Sequence, residues 1–405
     1  MNKTRLTYSI ISIFLLIVCT CISPYTPEFK GYDSILVIDG LITDQNTSYK
    51  IKLSRTFQNI KSGPVPISNA IVFLTDNLGN STNFAEEENG IYKSDSLKFT
   101  GVIGRKYVLQ IFTKEGERYI SDTCQLQSVP DIDSIYFDKD QQFIKNETKI
   151  NEGISIYLDS KTGENNRYYR WDYDETWKFR IPLPPVFTYI NESTIIPYTK
   201  FIKSLCWKNA VSNSIVVGSD SQEQPGRIIG QPIAFIASDQ SDRLLIEYSI
   251  LIRQYSISKD AYNYLKNLIK VDEPVNQIFA TVPYPVTSNI HNTNNSQERI
   301  LGYFMASAVK QKRKFIPYND IYKWQLPFYH NPCKEVIADP ATYRTTFGGL
   351  YKLFCIDNDW IFIEPVYILN GASERLSKLV FVRPECADCE LTGTLKKPDF
   401  WIDRN

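Results

Sequence analysis

"RYYRWDYDETWKFRI", residues 167–181, alternates between aromatic and charged side chains. Tyr169, Trp171, Tyr173, Trp177 and Phe179 fall on one side; Arg170, Asp172, Asp174 and Lys178 fall on the other. Successive side chains of an extended chain point to opposite faces, so this stretch predicts a half-buried strand with one aromatic face. "PLPPVF" after it reads as a stiff, extended loop. Towards the C-terminus, "RLLIEYSILIRQYSIS" predicts a long core strand, and "ILGYFMASAV", "KRKFIP", "YKLFCI", "DWIFIEPVYIL" and "LSKLVFVRP" are strand-like too. "SKDAYNYLKNLIKVDEP" (258–274) is the one convincing helix: Ser258 can cap it, Asp260 suits its dipole, and Tyr262, Leu265, Leu268 and Ile269 share a face.

Towards the N-terminus the pattern is shorter in period. "ILVIDGLITD" (35–44) and "SYKIKLSRTF" (48–57) predict a strand pair. "AIVFLTDNLGNSTNF" turns at Asn77–Gly79, and "KYVLQIFTKEGERYISDT" is a hairpin around "KEGE". About seven strands in about 100 residues predict an immunoglobulin-like or prealbumin-like sandwich over 33–130. "QSVPDIDS" (127–134) marks its end, leaving 131–405 as a larger β-rich domain with one or two helices. The fold class expected is mainly β.

Composition agrees. Among 405 residues are 26 Tyr and 22 Phe but only 2 Met and 2 His, a balance that suits strands and turns. Lys and Arg number 45 and so do Asp and Glu, so no global field favours nucleic acid.

The first residues decide the compartment. Lys3 and Arg5 precede an apolar run, Leu6–Ile22, which ends "IVCTC". A positive start, an apolar middle and a small residue before a cysteine form a secretory signal of the lipoprotein kind. Residues 1–20 are read as the signal peptide, Cys21 as the lipidated first residue of the mature chain, and 21–32 as a tether. Acyl chains contribute about 0.8 kcal/mol per buried methylene, so two or three of them make a lasting anchor.

Several stretches, in order, carry a family resemblance. They are the lipobox cysteine, "LVIDGLITD", "IKLSRT", "RYYRW", "CW" at 206–207, "IEYSILIRQYSISKDAYNYL", "SNIHNTNNSQERILGYFMAS" and the tail "ECADCELTGTLKKPDFW". Together they resemble the Bacteroidota outer-membrane lipoproteins grouped as domain of unknown function 4249. The resemblance covers nearly the whole mature chain and implies no established activity. It implies a lipid-anchored outer-membrane location, on the cell surface or the periplasmic face. It also implies an accessory role beside a TonB-dependent receptor.

Candidate chemistry is sparse. Cys124, Cys206, Cys333, Cys355, Cys386 and Cys389 follow Cys21, and an extracytoplasmic compartment predicts structural disulfides among them. Cys386 and Cys389 form a C-x-x-C, but "CADCELTGTL" does not lead into the helix that a thioredoxin-like motif opens. An alternative is a closed zinc site from His330, Cys333, Cys386 and Cys389. No metal or cofactor is otherwise expected. No G-x-S-x-G or H-E-x-x-H occurs, and "SISK" (256–259) is explained by a helix cap. Tyr169, Trp171, Tyr173 and Trp177 are candidate ligand-stacking residues, with core packing as the alternative. The basic run "VKQKRKFIP" (309–317) reads as a lysine-guarded edge strand or a contact to lipid headgroups.

The expectation is therefore a non-catalytic, lipid-anchored binding or scaffolding partner of a TonB-dependent receptor. The alternatives are a carboxylate-based hydrolase of glycans or peptides, with pairs such as Asp172 and Asp174, and a purely structural envelope protein or adhesin.

Overall fold

Alternation in "KYVLQIF" buries Tyr107, Leu109 and Ile111 while Val108, Gln110 and Phe112 stay half-buried, and the same two-residue period organises most of the chain. The computed structural model describes residues 34–56, 63–143, 149–163, 166–220, 225–272, 287–370 and 373–402. The signal segment, Cys21 and the tether lie outside the described residues. Among those described, no helix is long and apolar enough to cross a membrane.

The protein is mainly β. Nine strands open it: β1 (Leu36–Ile42), β2 (Lys50–Arg55), β3 (Val65–Pro66), β4 (Ile71–Asp76), β5 (Ser81–Glu88), β6 (Ile91–Ser94), β7 (Lys106–Phe112), β8 (Arg118–Ser121) and β9 (Cys124–Gln125). The predicted hairpins form where their turn residues allow it: Gly79 and Gly116 take positive φ, 86° and 89°, at the β4–β5 and β7–β8 turns.

After "QSVPD" come β10 (Ile132–Phe143), β11 (Ile150–Lys161), β12 (Tyr168–Arg180), β13 (Phe187–Asn191), β14 (Thr194–Pro197), β15 (Leu205–Val211), β16 (Val216–Ser219), β17 (Arg227–Ala237) and β18 (Glu247–Ser256). Helix α1 (Lys259–Asp272) follows, and then β19 (Ile290–Asn292), β20 (Ile300–Ala306), β21 (Val309–Pro317), β22 (Val336–Ala338), β23 (Ile361–Asn370) and β24 (Ser373–Val382). One sheet runs β10-β11-β17, another β15-β12-β18-β21 with β16 also on β12, and a small C-terminal sheet runs β22-β24-β23.

Two corrections follow. The division at 130/131 does not separate the sheets. The first sheet has eleven strands in the order β19-β8-β7-β4-β5-β6-β2-β1-β20, with β3 and β9 at its side, so residues 290–306 return to it. β20 lies parallel to β1 from Leu36↔Ile300 to Ile42↔Ala306, a pairing that needs a long crossover and leaves no hairpin signal. Second, "YKLFCI" is helical. Thr346 Oγ1 accepts the Gly349 N–H at 3.1 Å and starts a short helix, Phe347–Tyr351, continued by the π-turn Lys352–Ile356. Phe347, Leu350, Tyr351 and Phe354 then share one apolar face at helical spacing.

The far ends of the nine-strand path, β19 and β20, meet through one side chain. The Asn289 amide donates to Phe304 O and accepts from Phe304 N–H, both at 2.9 Å, standing in for a strand neighbour. Gly302 sits where β20 crosses closest to β1. Its φ is +95°, and a Cβ there would lie 1.8 Å from the Ile38 carbonyl oxygen. Gly302→Ala is expected to lower stability by about 3 kcal/mol, because positive φ and a backbone collision act together; urea unfolding measures it. A loss below about 1 kcal/mol would mean that β20 can shift along β1 without cost.

The chain leaves the first sheet at the Ile42 end of β1. Ser307 N–H donates to Ile42 O, Ala308 N–H to Gln127 O, both at 3.0 Å, and Val309 N–H to Asp44 Oδ1 at 2.9 Å. α1 packs at this junction: Tyr264 and Leu265 join Tyr255, Tyr303 and Met305 in one apolar cluster spanning both parts.

Candidate functional site

The aromatic strand is a core strand. Tyr169 and Trp171 are fully buried, Trp177 and Phe179 nearly so, and each polar tip has an internal partner. Trp171 Nε1 donates to Gln254 Oε1 at 2.9 Å, Tyr169 Oη to Asn166 O at 3.0 Å, and Trp177 Nε1 to Asp242 Oδ1 at 2.8 Å. The ligand-stacking reading of Tyr169, Trp171 and Trp177 is therefore corrected: a face that packs between sheets has no room for a sugar ring. Of the four, Tyr173 borders an open cleft, about 230 Å³, together with Glu175, Phe235 and Arg243.

The acids of β12 are held by arginines. On the outer face, Arg253 Nε reaches Asp172 Oδ1 at 2.6 Å, and its two terminal nitrogens meet both oxygens of Asp174 at 2.6 and 2.7 Å. These carboxylates push the Arg253 pKa further up, so it is a permanent cation. A hydrolase needs one carboxyl that gives up a proton and one that is free to attack or accept; Asp172 and Asp174 instead share a fixed charge. On the core face, Glu175 accepts from Arg243 at 3.0 and 3.2 Å and from Tyr248 Oη at 2.8 Å. Arg243 lies 4.4 Å over the Trp177 ring, and next to it in sequence Asp242 takes Lys208 at 2.7 Å.

The cysteines divide four and two. Cys206 bridges to Cys389, and Cys333 bridges to Cys386. The two C-x-x-C sulfurs thus serve different partners, so the motif cannot cycle as a dithiol. The zinc alternative is corrected on the same ground, since three of its four ligands are consumed in disulfides while His330 is exposed beside Phe328. Cys124 and Cys355 are also corrected: both are free thiols. They sit in different cores, Cys124 at the edge of the first sheet and Cys355 in the C-terminal unit. Burial pushes the Cys124 thiol up to about 12 and Cys355 up to about 11, which keeps both protonated and unreactive.

Two smaller motifs resolve structurally. Ser258 Oγ accepts the Ala261 N–H at 3.1 Å, so "SISK" is a helix cap. β21 is the edge of its sheet, and its lysines turn to β10: Lys310 pairs with Asp131 at 3.1 Å, Lys312 donates to Ile132 O at 3.1 Å, and Lys314 lies over Phe137.

What the chain does build is a cavity of about 210 Å³ at the junction of its two parts. It is lined by Cys124 of β9, by Gln127 just after it, by Tyr303 and Met305 of β20, and by Ser258 and Asp260 at the start of α1. The Cys124 thiol donates to Phe304 O at 3.3 Å and accepts from Asn289 Nδ2 at 3.4 Å, which ties this wall to the closure of the sheet. Asp122 stands at the rim, bonded at 3.0 Å by His291 Nε2. Burial pushes the Tyr303 hydroxyl up to about 12, with Cys124, Asp260 and Asp122 raising it further.

The family model described as Domain of unknown function (DUF4249) matches residues 22–313. The chain belongs to this family. The DUF4249 segment contains the whole eleven-strand sheet, α1 and every residue that lines the junction cavity. It ends within β21, so the C-terminal sheet and both bridges' distal cysteines lie beyond it. No curated protein matches the sequence.

Sequence reasoning passed over Asp122, Asn289 and Tyr303 because they lie in three separate stretches that only the closed sheet assembles. One signal was present: Asn289 is a polar residue leading directly into the alternating "IHN" of β19.

Proposed function

We propose that this DUF4249 protein is a Bacteroidota outer-membrane lipoprotein, held by acylated Cys21. It acts without catalysis as a binding or scaffolding partner of a TonB-dependent receptor in uptake or surface assembly. The observation that carries the reading is the direction of the first sheet. β1 begins at Leu36, just after the tether, and the chain enters β21 from the opposite end, next to Ile42. Seven residues of extended chain span roughly 20 Å, so the sheet is a spacer that lifts the second part from the lipid surface. The tight ion pairs of Asp172, Asp174 and Glu175 fit a rigid platform better than they fit acid–base chemistry. The receptor as partner follows from the family resemblance.

Purification from solubilised outer membranes through a C-terminal tag, with mass spectrometry of what accompanies the protein, tests this. A TonB-dependent receptor in stoichiometric amount is the expected result, with Cys21→Ala released to the soluble fraction. Recovery of the acylated protein alone would move the reading to a purely structural envelope protein.

A further inference from the structure

We propose that the cleft formed by residues 318–329 with Leu244 and Leu245 is a binding site for one ring of an uncharged sugar. Two short helical turns, Tyr318–Ile321 and Tyr322–Trp324, follow β21, and Gln325 then turns the chain at φ 47° and ψ 47°. A left-handed helix end of this kind ordinarily takes glycine or asparagine, and here it carries a long amide instead. All five residues from Gln325 to Tyr329 line the cleft. Its hollow, about 90 Å³, has room for several waters that a sugar ring would displace.

The lining selects the class of ligand. It holds no Asp, Glu, Lys, Arg or His, so an ion would lose hydration there without meeting a counter-charge. It holds four aromatic rings, and two of them, Tyr322 at 66% and Phe328 at 56% exposure, keep large apolar faces open to solvent. Among the described residues, the hydroxyls of Tyr318, Tyr322 and Tyr329 and the amide of Gln325 have no hydrogen-bond partner. These groups both donate and accept, as every sugar hydroxyl does. A pyranose ring has an apolar C–H face to lay on an aromatic ring and a rim of hydroxyls to meet these four groups. A wholly apolar ligand would take water from them and return nothing. A quaternary ammonium is disfavoured as well. Tyr318 and Tyr322 meet edge to face at 5.7 Å and Phe328 leans on His330 at 6.0 Å, so the rings line a cleft and do not box a cation. The stacking that β12 cannot offer, because its rings are buried, is thus available at an exposed place.

The test is calorimetric titration of the full chain in detergent with linear tetramers of glucose, galactose, mannose, xylose and N-acetylglucosamine. Choline and decaproline serve as the cationic and peptide comparisons. At least one tetramer is expected to bind, one per chain, with a Kd below about 1 mM. Tyr322→Ala and Phe328→Ala are each expected to weaken that binding about tenfold, the effect of losing one stacked ring, while circular dichroism stays unchanged because both side chains are exposed. Gln325→Gly is expected to weaken it about threefold without lowering the unfolding temperature, since glycine suits the positive φ and only the amide is lost. Absence of binding by all five tetramers overturns the proposal. So does undiminished binding by both the Tyr322→Ala and Phe328→Ala proteins, or tighter binding of choline or decaproline than of any sugar. Receptor co-purification plays no part in this titration, so either result stands without the other.

Discussion

Replacing Cys206 and Cys389 together by alanine is expected to cost about 5 kcal/mol. The bridge closes a loop of 183 residues, and the chain-entropy model assigns about 5 kcal/mol to a loop of that length. Cys333–Cys386 closes 53 residues, for which the same model gives about 4 kcal/mol. The two bridges also differ in access. Cys206 and Cys389 are fully buried, whereas Cys333 is half-buried, so dithiothreitol should open Cys333–Cys386 first. Urea unfolding of the two double-alanine variants, with mass spectrometry of thiols during reduction, measures both claims. Local contacts compete with the bridge for credit. Trp207 and Thr394 exchange both backbone bonds at 2.9 Å, and Trp401 packs on Trp207 and Phe315. A loss under about 1 kcal/mol without Cys206–Cys389 would mean that this packing alone holds the tail.

Arg243→Ala comes next, with an expected loss of about 3–5 kcal/mol. Glu175 is 7% exposed, and its carboxylate is neutralised from one side by Arg243. Truncating the arginine leaves a buried charge with only the Tyr248 hydroxyl, and it bares the face of Trp177 that the guanidinium covers. The cost is that of an orphaned charge and not the worth of the pair. The double variant Glu175→Gln, Arg243→Met is therefore expected to recover most of the loss, since neither member then carries charge into the core. Thermal and urea unfolding of the single and double variants form the cycle that measures it. If Arg243→Ala alone costs less than about 1 kcal/mol, water reaches Glu175 through the cleft beside Tyr173 and the pair is a surface one.

Both predictions concern residues whose local sequence says little. Arg253 sits inside "ILIRQYS", and a charged residue in an apolar strand is visible there, but its two aspartate partners are about 80 residues away. Asp172 and Asp174 alternate with aromatics, which shows that they share a face and leaves open what covers that face. Glu175 breaks the aromatic row at the one position where Arg243 and Tyr248 compensate it. The same holds at the junction cavity, where Asp122, Asn289 and Tyr303 converge only once β20 has paired with β1.

The sequence by itself determined what depends on neighbours a few residues apart. The strand class came from alternation with period two. The β4–β5 and β7–β8 turns came from glycines at Gly79 and Gly116, and α1 came from its Ser258 cap and spaced apolar face. A cysteine after a small residue set the expected anchor. Tertiary structure alone decided the rest: the parallel return of β20 to β1, the choice of partners for Cys206, Cys333, Cys386 and Cys389, and the arginine that each carboxylate meets. It also decided that the aromatic face of β12 packs inward and not against a ligand. Those outcomes depend on which distant segment fills the same space. Hydrophobic burial rewards many such pairings almost equally, and only close packing with every buried polar group satisfied selects one of them.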